Sequence, residues 1–199
     1  HRRVPSRPSP DELQAAYGAT IPDVGGPETR ILLVGINPSL WSAWSGNHFA
    51  RPGNRFWRTL HLAGLTETLL DPSDTANIRS TGLGITNLVA RATARADELT
   101  ADEVRAGVEP LRRLARAWQP EIVAFLGIST YRIAFAAPKA QVGEQPDRFE
   151  AARVWVLPNP SGLNAHYQQP ALTAAYAELR LRRAGLTSME LDETTENDR

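Results

Sequence analysis

Four apolar runs, each cut short by Gly, Pro or Asn, set the rhythm of this 199-residue chain. Ile31-Leu32-Leu33-Val34-Gly35-Ile36 is continuous and ends abruptly at Asn37-Pro38-Ser39. A run with no polar alternation predicts a strand buried on both faces. Gly84 to Val89 is a weaker second strand. Ile122 to Leu126, closed by Gly127, is a third. Val154-Trp155-Val156-Leu157, closed by Pro158-Asn159-Pro160-Ser161-Gly162, is a fourth.

Helical patterns fall between these runs. Ser9-Pro10-Asp11-Glu12 offers an N-cap, a Pro at the first helical position and a capping-box Glu. Asn54 precedes a helix carrying Phe56, Trp57, Leu60 and Ala63, closed by Gly64. Thr100-Ala101-Asp102-Glu103 opens a helix with Val104, Val108, Leu111, Leu114 and Ala115 on one face. A short helix is predicted around Tyr131 to Phe135. A last one runs from about Pro170 to Ala184, with Leu172, Tyr176 and Leu179 in register and Gly185 as its stop. Residues 21–29, 39–53 and 138–150 read as loops.

Strands alternating with helices predict an α/β fold: a three-layer sandwich, with a central, mostly parallel sheet of four to five strands and helices on both faces. In such sheets ligands bind beyond the carboxyl ends of the strands. Residues 35–53, 87–98 and 158–167 are expected to meet there. No internal repeat and no Walker or Rossmann glycine motif is present. The expected organisation is a basic disordered arm (1–8), one domain (9–186) and an acidic disordered tail (187–199).

Composition narrows the chemistry. Hydrophobic residues make up 42% and charged residues 22%, as in ordinary globular proteins. No apolar run reaches the ~20 residues of a membrane helix, and no signal peptide opens the chain. Cysteine is absent, which excludes disulfides, thiolate metal sites and thiol nucleophiles. The expected setting is cytoplasmic, without membrane association. His1, His48, His61 and His166 show no metal-ligand spacing, so no metal is expected. The formal charge is zero. Glu190, Asp192, Glu193, Glu196 and Asp198 crowd the end, so the rest of the chain is net basic. Lys139 is the sole lysine; the other basic residues are all Arg. Arg suits bidentate phosphate contacts, although a GC-rich coding sequence inflates Arg equally.

Candidate chemistry sits at the strand ends. Gly-Ile-Asn37-Pro38-Ser39 and Pro-Asn159-Pro160-Ser161-Gly162 each put an Asn before a Pro at the edge of the expected pocket. Proline fixes its own φ and restricts the residue before it, so the amide is held stiffly. A stiff amide can position one water or read one base edge.

These stretches carry a family resemblance. GINPSLWSAWSGNHFARPGNRFWRTLHLAGL (35–65), GITNLVARAT (84–93) and VLPNPSGLNAHY (156–167) resemble the mismatch-specific uracil/thymine-DNA glycosylases of the uracil-DNA glycosylase superfamily. The resemblance spans roughly residues 30–185. It implies that family's sheet sandwich, no cofactor, and hydrolysis of the N-glycosidic bond of a damaged or mismatched base in DNA. It further implies that Phe49 stacks on the extruded base, that Asn37 holds the attacking water, and that Asn159 faces the same pocket to read the base or hold water. Asn87 is expected to contact the base or else to make a strand-end hydrogen bond. Ser42 is a further pocket candidate. Gly162-Leu163-Asn164 matches the intercalation loop: Leu163 would fill the hole left by the flipped base, with Gly162 and Asn164 touching the opposite strand. Ala165 stands where one related branch carries an Arg that reads the widowed guanine.

A neutral Asn orients water but is no general base. A carboxylate would activate it better, and Asp97, in the loop after Asn87, is the candidate by order of elements. The expected partner is DNA containing uracil or mismatched bases, bound by a monomer associated with the nucleoid. Two rivals remain: a module of the same fold that binds modified bases without cleaving them, and an unrelated hydrolase. The second lacks any GxSxG or Ser-His-Asp grouping.

Overall fold

The computed structural model describes residues 7–183. Residues 1–6, most of the expected basic arm, and residues 184–199, with the whole expected tail and the Gly185 helix stop, lie outside the described residues. At the end of the expected arm, the Arg7 guanidinium stands 6.0 Å from the Trp41 ring centre, and Pro8 is buried.

Five strands form one sheet in the order β2-β1-β3-β5-β4. They are β1 (Ile31–Gly35), β2 (Leu83–Asn87), β3 (Ile122–Leu126), β4 (Gly143–Phe149) and β5 (Ala152–Leu157). The first three and β5 are mutually parallel, and β4 runs antiparallel along the edge. Every residue of β1 and β3 is buried. Alternate side chains divide between two cores. Ile31, Leu33, Ala124, Leu126, Trp155 and Leu157 pack with α3 (Phe56–Leu62), α4 (Thr75–Ser80) and α8 (Gln169–Arg183). Leu32, Val34, Val123, Phe125, Val154 and Val156 pack with α5 (Ala101–Ala106), α6 (Val108–Trp118) and α7 (Ile128–Ala134). The two faces are thus both covered, which is why these strands read as unbroken apolar runs. Deleting a side chain such as Leu33, which is fully buried, is expected to cost about 2–5 kcal/mol.

The remaining helices are α1 (Pro10–Ala15) and α2 (Leu40–Ser45). Ser9 caps α1 with the reciprocal Ser9–Glu12 bonds of a capping box. Three expectations are corrected. Residues 143–149 form an edge strand, not a loop; only Phe149 is buried and the register shifts between Glu144 and Arg148 around Pro146, as polar, bulged edges do. Residues 40–45 form a helix inside the expected 39–53 loop, capped by Ser39 and ended by Gly46 at φ 75°. The single helix expected from Thr100 is two, broken at Gly107. A Cβ at Gly107 would run into the Leu88 carbonyl, so glycine lets the backbone pass close to the chain leaving β2 at the point where the two helices meet.

No helix among the described residues is long and apolar enough to cross a membrane.

Candidate functional site

The sheet order reverses at β1: β2 lies on one side and β3 on the other. At such a switch point the chains leaving neighbouring strands part and open a crevice. Here the segments following β1, β2 and β5 line a pocket of about 150 Å³. That is well below the several hundred Å³ of a drug-sized site, so it suits a one-ring ligand. Gly35, Asn37, Ser42, His48, Phe49, Asn87, Thr93 and Asn159 all contribute to its wall.

Asn37 leaves β1 and reaches the chain beyond β2. Its Nδ2 donates to the Arg91 carbonyl at 2.9 Å and to Thr93 Oγ1 at 2.8 Å. Thr93 in turn donates its hydroxyl proton to the Arg95 carbonyl at 2.7 Å. That proton is therefore committed, and Thr93 can only accept from Asn37. Both N–H groups of the Asn37 amide are engaged, which fixes which end is nitrogen. Oδ1 has no protein partner among the described residues and is left as an acceptor for a ligand of this pocket.

Asn159 has the opposite polarity. Its Oδ1 accepts from the Ser161 N–H at 2.9 Å, an Asx turn that Pro160 stiffens. The Nδ2 group has no partner among the described residues, so this amide offers donors. Among the described residues, one asparagine of the pocket wall keeps an unengaged acceptor oxygen, and the other keeps unengaged N–H groups.

Asn87, the last residue of β2, lies beside Gly35 in the sheet register. A side chain there would displace its neighbours: a Cβ on Gly35 would sit 2.5 Å from Asn87 Oδ1 and 3.1 Å from Phe49 Cζ. Asn87 Nδ2 reaches His48 Nδ1 at 3.4 Å, a long bond. His48 is buried, and its Nε2 lies 2.8 Å from the Pro22 carbonyl. A carbonyl can only accept, so Nε2 carries the proton and Nδ1 is the acceptor that faces Asn87. Burial lowers the imidazole pKa below its usual value, which keeps this neutral tautomer.

Phe49 lies face to face with Phe56, ring centres 3.9 Å apart. Its backbone is left-handed, φ 51°, a conformation that costs a non-glycine residue about 1 kcal/mol or more. Two neighbours hold it there. Trp57 Nε1 donates to the His48 carbonyl, and the Ala50 N–H donates to Ser42 Oγ. Ser42 is 2% exposed, and its hydroxyl also accepts from Ser39. Ser42 therefore lines the pocket while bracing the Phe49 loop.

The structure does not bring Asp97 to this wall. Asp97 lies on a single 3-10 turn, Ala96–Glu98, with its side chain 74% exposed and paired to Arg95 at 3.0 Å. The chain turns outward after Ala96, so the expected carboxylate points to solvent while its neighbours Arg95 and Ala96 edge the pocket. Leu163 is 80% exposed, and Asn164 Nδ2 donates to the Asn159 carbonyl at 3.0 Å. Leu163 and Asn164 line a second cavity that shares Asn159 and Ser161 with the first. Gly162 sits against the Gly53 carbonyl, where a Cβ would approach to 2.6 Å.

Thr93 and His48 are site residues that the sequence does not single out. Their only signal is position, since each lies within a stretch that carries the resemblance. The cations near the pocket also sort differently from their appearance in the chain. Arg91 is bidentate on Glu103, and Arg55 is engaged by carbonyls. Arg51 is exposed on the pocket rim with no side-chain partner among the described residues. Among those residues no cluster of His, Asp and Glu could hold a metal ion.

The family model of the uracil DNA glycosylase superfamily matches residues 22–180, which include every residue of the pocket wall but Ile21. A solution NMR structure of a Methanosarcina acetivorans protein, provisionally named a uracil DNA glycosylase, is similar over 82% of this chain and 98% of its own. The TM-score is 0.58 at 17% sequence identity, a likeness of fold.

Proposed function

The chain belongs to the uracil DNA glycosylase superfamily, and from that premise we propose that it is a monofunctional, mismatch-specific DNA glycosylase. It flips uracil, and other mismatched or damaged pyrimidines, out of DNA, hydrolyses the N-glycosidic bond and leaves an abasic site for base excision repair. The observation that carries this reading is the pair of asparagine amides of opposite polarity that share one pocket wall with Phe49.

The extruded pyrimidine stacks on Phe49, a contact worth about 1–3 kcal/mol. Phe56 backs that ring and keeps it from yielding. Asn87 reads the base edge, with its Oδ1 accepting from N3–H. As the bond lengthens, positive charge grows on the sugar and negative charge on the leaving base. The free Nδ2 of Asn159 donates to a base carbonyl and gains strength as that charge develops, which is electrostatic stabilisation by a preorganised dipole. Asn37 Oδ1 accepts from the attacking water and aims its lone pair at the sugar carbon; the base leaves with the electron pair of the broken bond, and the water's second proton passes to solvent as the new C–O bond forms. An oxocarbenium-like centre needs little nucleophile activation, so an oriented water suffices without Asp97. Leu163 fills the gap in the duplex, and Gly162 and Asn164 face the opposite strand. Arg51 meets a phosphate. The protein acts as a monomer without a cofactor.

A cleavage panel tests this. Labelled oligonucleotides carry uracil opposite guanine, uracil opposite adenine, thymine opposite guanine, or uracil in a single strand. Alkali-sensitive breaks at the target base are expected from the wild type and lost in Asn37→Ala. Tight binding of the duplexes without any break would instead establish a base-binding module.

A further inference from the structure

One half-buried cation ties together two of the segments that line the pocket. Arg55 stands between the segment that follows β1 and the one that follows β5. Its Nη1 donates to the Tyr167 carbonyl at 2.6 Å, and its Nη2 to the carbonyls of Ser161 at 2.7 Å and Asn164 at 3.3 Å. Its own backbone N–H donates to the Pro160 carbonyl at 3.0 Å. Its Nε is buried with no hydrogen-bond partner, and no carboxylate pairs with it among the described residues. A half-buried guanidinium held by carbonyl oxygens alone is not a phosphate ligand, because its donors are already directed inward. It is a staple: the carbonyls belong to the loop that carries Leu163, and they converge on one fork of fixed geometry.

Two further contacts brace the chain at and just before this loop, one from the segment leading into α3 and one from α8. Gly162 rests on the Gly53 carbonyl, and the Tyr176 hydroxyl donates to the Pro158 carbonyl at 3.1 Å. The residue after Arg55 is Phe56, the ring on which Phe49 stacks. The support of the base platform and the anchor of the Leu163 loop are thus consecutive residues at the start of α3.

We propose that Arg55 is a positioning residue for base extrusion: it holds residues 161–167 in the shape that presents Leu163 to the duplex, in fixed register with the Phe49–Phe56 stack. The inference rests on the glycosylase reading above for the meaning of Leu163, but concerns a residue that touches neither base nor sugar. Lysine keeps the charge but offers no planar fork, and methionine keeps the stem alone.

The test compares wild type, Arg55→Lys, Arg55→Met and Leu163→Ala on two duplexes. In the first, uracil lies opposite guanine, beside a 2-aminopurine whose fluorescence rises when its neighbour leaves the stack. In the second, a pyrene nucleotide opposite the uracil occupies the gap in advance, so no wedge is needed. Circular dichroism and melting curves establish that each variant is folded. On the ordinary duplex, both Arg55 variants are expected to lose about ten-fold or more in single-turnover rate and most of the 2-aminopurine signal. On the pyrene duplex both should recover to near wild type, as Leu163→Ala should. Arg55→Lys combined with Leu163→Ala should be no worse than the poorer single variant.

A folded Arg55 variant that stays slow on the pyrene duplex would show that Arg55 serves the pocket or the general fold, and would overturn the proposal. So would wild-type rates on the ordinary duplex. If Arg55→Met does not fold, Arg55→Lys alone decides by the same readouts. If the wild type cleaves neither duplex, the glycosylase reading fails. The 2-aminopurine signal on binding then still separates an Arg55 that sets the wedge from one that does not.

Discussion

Replacing Thr93 by valine removes one hydroxyl from the wall of the pocket and keeps the β-branched shape. Thr93 is 2% exposed, and that hydroxyl is both the acceptor for Asn37 Nδ2 at 2.8 Å and the donor to the Arg95 carbonyl at 2.7 Å. Valine leaves one N–H of the Asn37 amide and the Arg95 carbonyl unpaired. A fully buried unpaired group costs about 1–3 kcal/mol. Arg95 is exposed and Asn37 faces the pocket, so both can recover a water and the cost falls to the lower end. A loss of about 1 kcal/mol lowers Tm by roughly 2–4 °C in a domain of this size. The larger effect is on chemistry. With one bond left, to the Arg91 carbonyl, the amide can turn and present nitrogen where the water needs oxygen. A lost hydrogen bond worth about 0.5–1.5 kcal/mol corresponds to a drop of roughly two- to ten-fold in rate. Single-turnover excision of uracil from a duplex, with enzyme in excess, reads this directly. Thr93→Ser restores the hydroxyl and should restore the rate. In the Asn37→Ala background, Thr93→Val should change nothing further, since its effect passes through Asn37. Wild-type rates in Thr93→Val, equal defects in the serine and valine variants, or additive losses with Asn37→Ala would each refute the amide-orientation argument.

Other expectations follow from neighbouring contacts. Gly35→Ala places a Cβ against Asn87 Oδ1 and Phe49 Cζ; it should cut excision about ten-fold or more by displacing both base contacts, while a Tm within a few degrees of wild type would show that the damage is local. Asp97→Ala breaks only an exposed ion pair with Arg95, which solvent screens; excision within about two-fold of wild type is expected, and a collapse in rate with DNA binding intact would restore the carboxylate mechanism. Arg51→Gln removes the cation on the rim and should lower the slope of log Kd against log salt by about one, measured by fluorescence anisotropy on matched and uracil-containing duplexes alike. Acid should destabilise the fold through His48, whose pKa burial holds below 6.5. As pH falls below about 6.5 the unfolded chain takes up a proton that the native state refuses, so stability drops until the native imidazole also titrates; melting curves between pH 7 and 5 should show that slope, and His48→Gln should flatten it.

What the chain discloses in advance is what its neighbours along the sequence can disclose. β1 and β3 are buried on both faces, so their burial is written as an unbroken apolar run. The capping box at Ser9 is local chemistry over three residues. By contrast β4 owes its existence to pairing with β5, and its polar sequence carries no apolar period because one edge and one face meet water. The six-residue α2 is too short to show a helical period. Its signals were a capping Ser39 and a left-handed Gly46 in a segment otherwise loop-like. The need for glycine at position 107 reflects the Leu88 carbonyl nineteen positions earlier in the chain, which no local pattern records.

The site divides the same way. That Asn37, Phe49, Asn87 and Asn159 share one wall follows from strand order, because parallel strands deliver their carboxyl ends to one side of the sheet. Which atom each amide shows to the pocket does not follow, because it is decided by bonds spanning 56 residues for Thr93 and 39 for His48. The arginines make the point most sharply. Arg51, Arg55 and Arg91 carry the same guanidinium fork and the same capacity for phosphate. In the fold Arg91 is held by Glu103, Arg55 is held by the Leu163 loop, and Arg51 alone is left to meet an anion. An unpaired charge is a property of three-dimensional neighbours, so residue type gives the chemistry that is possible and packing selects which copy performs it. The asparagines obey the same rule: identical amides become acceptor at position 37 and donor at position 159 solely through the partners that hold their other ends.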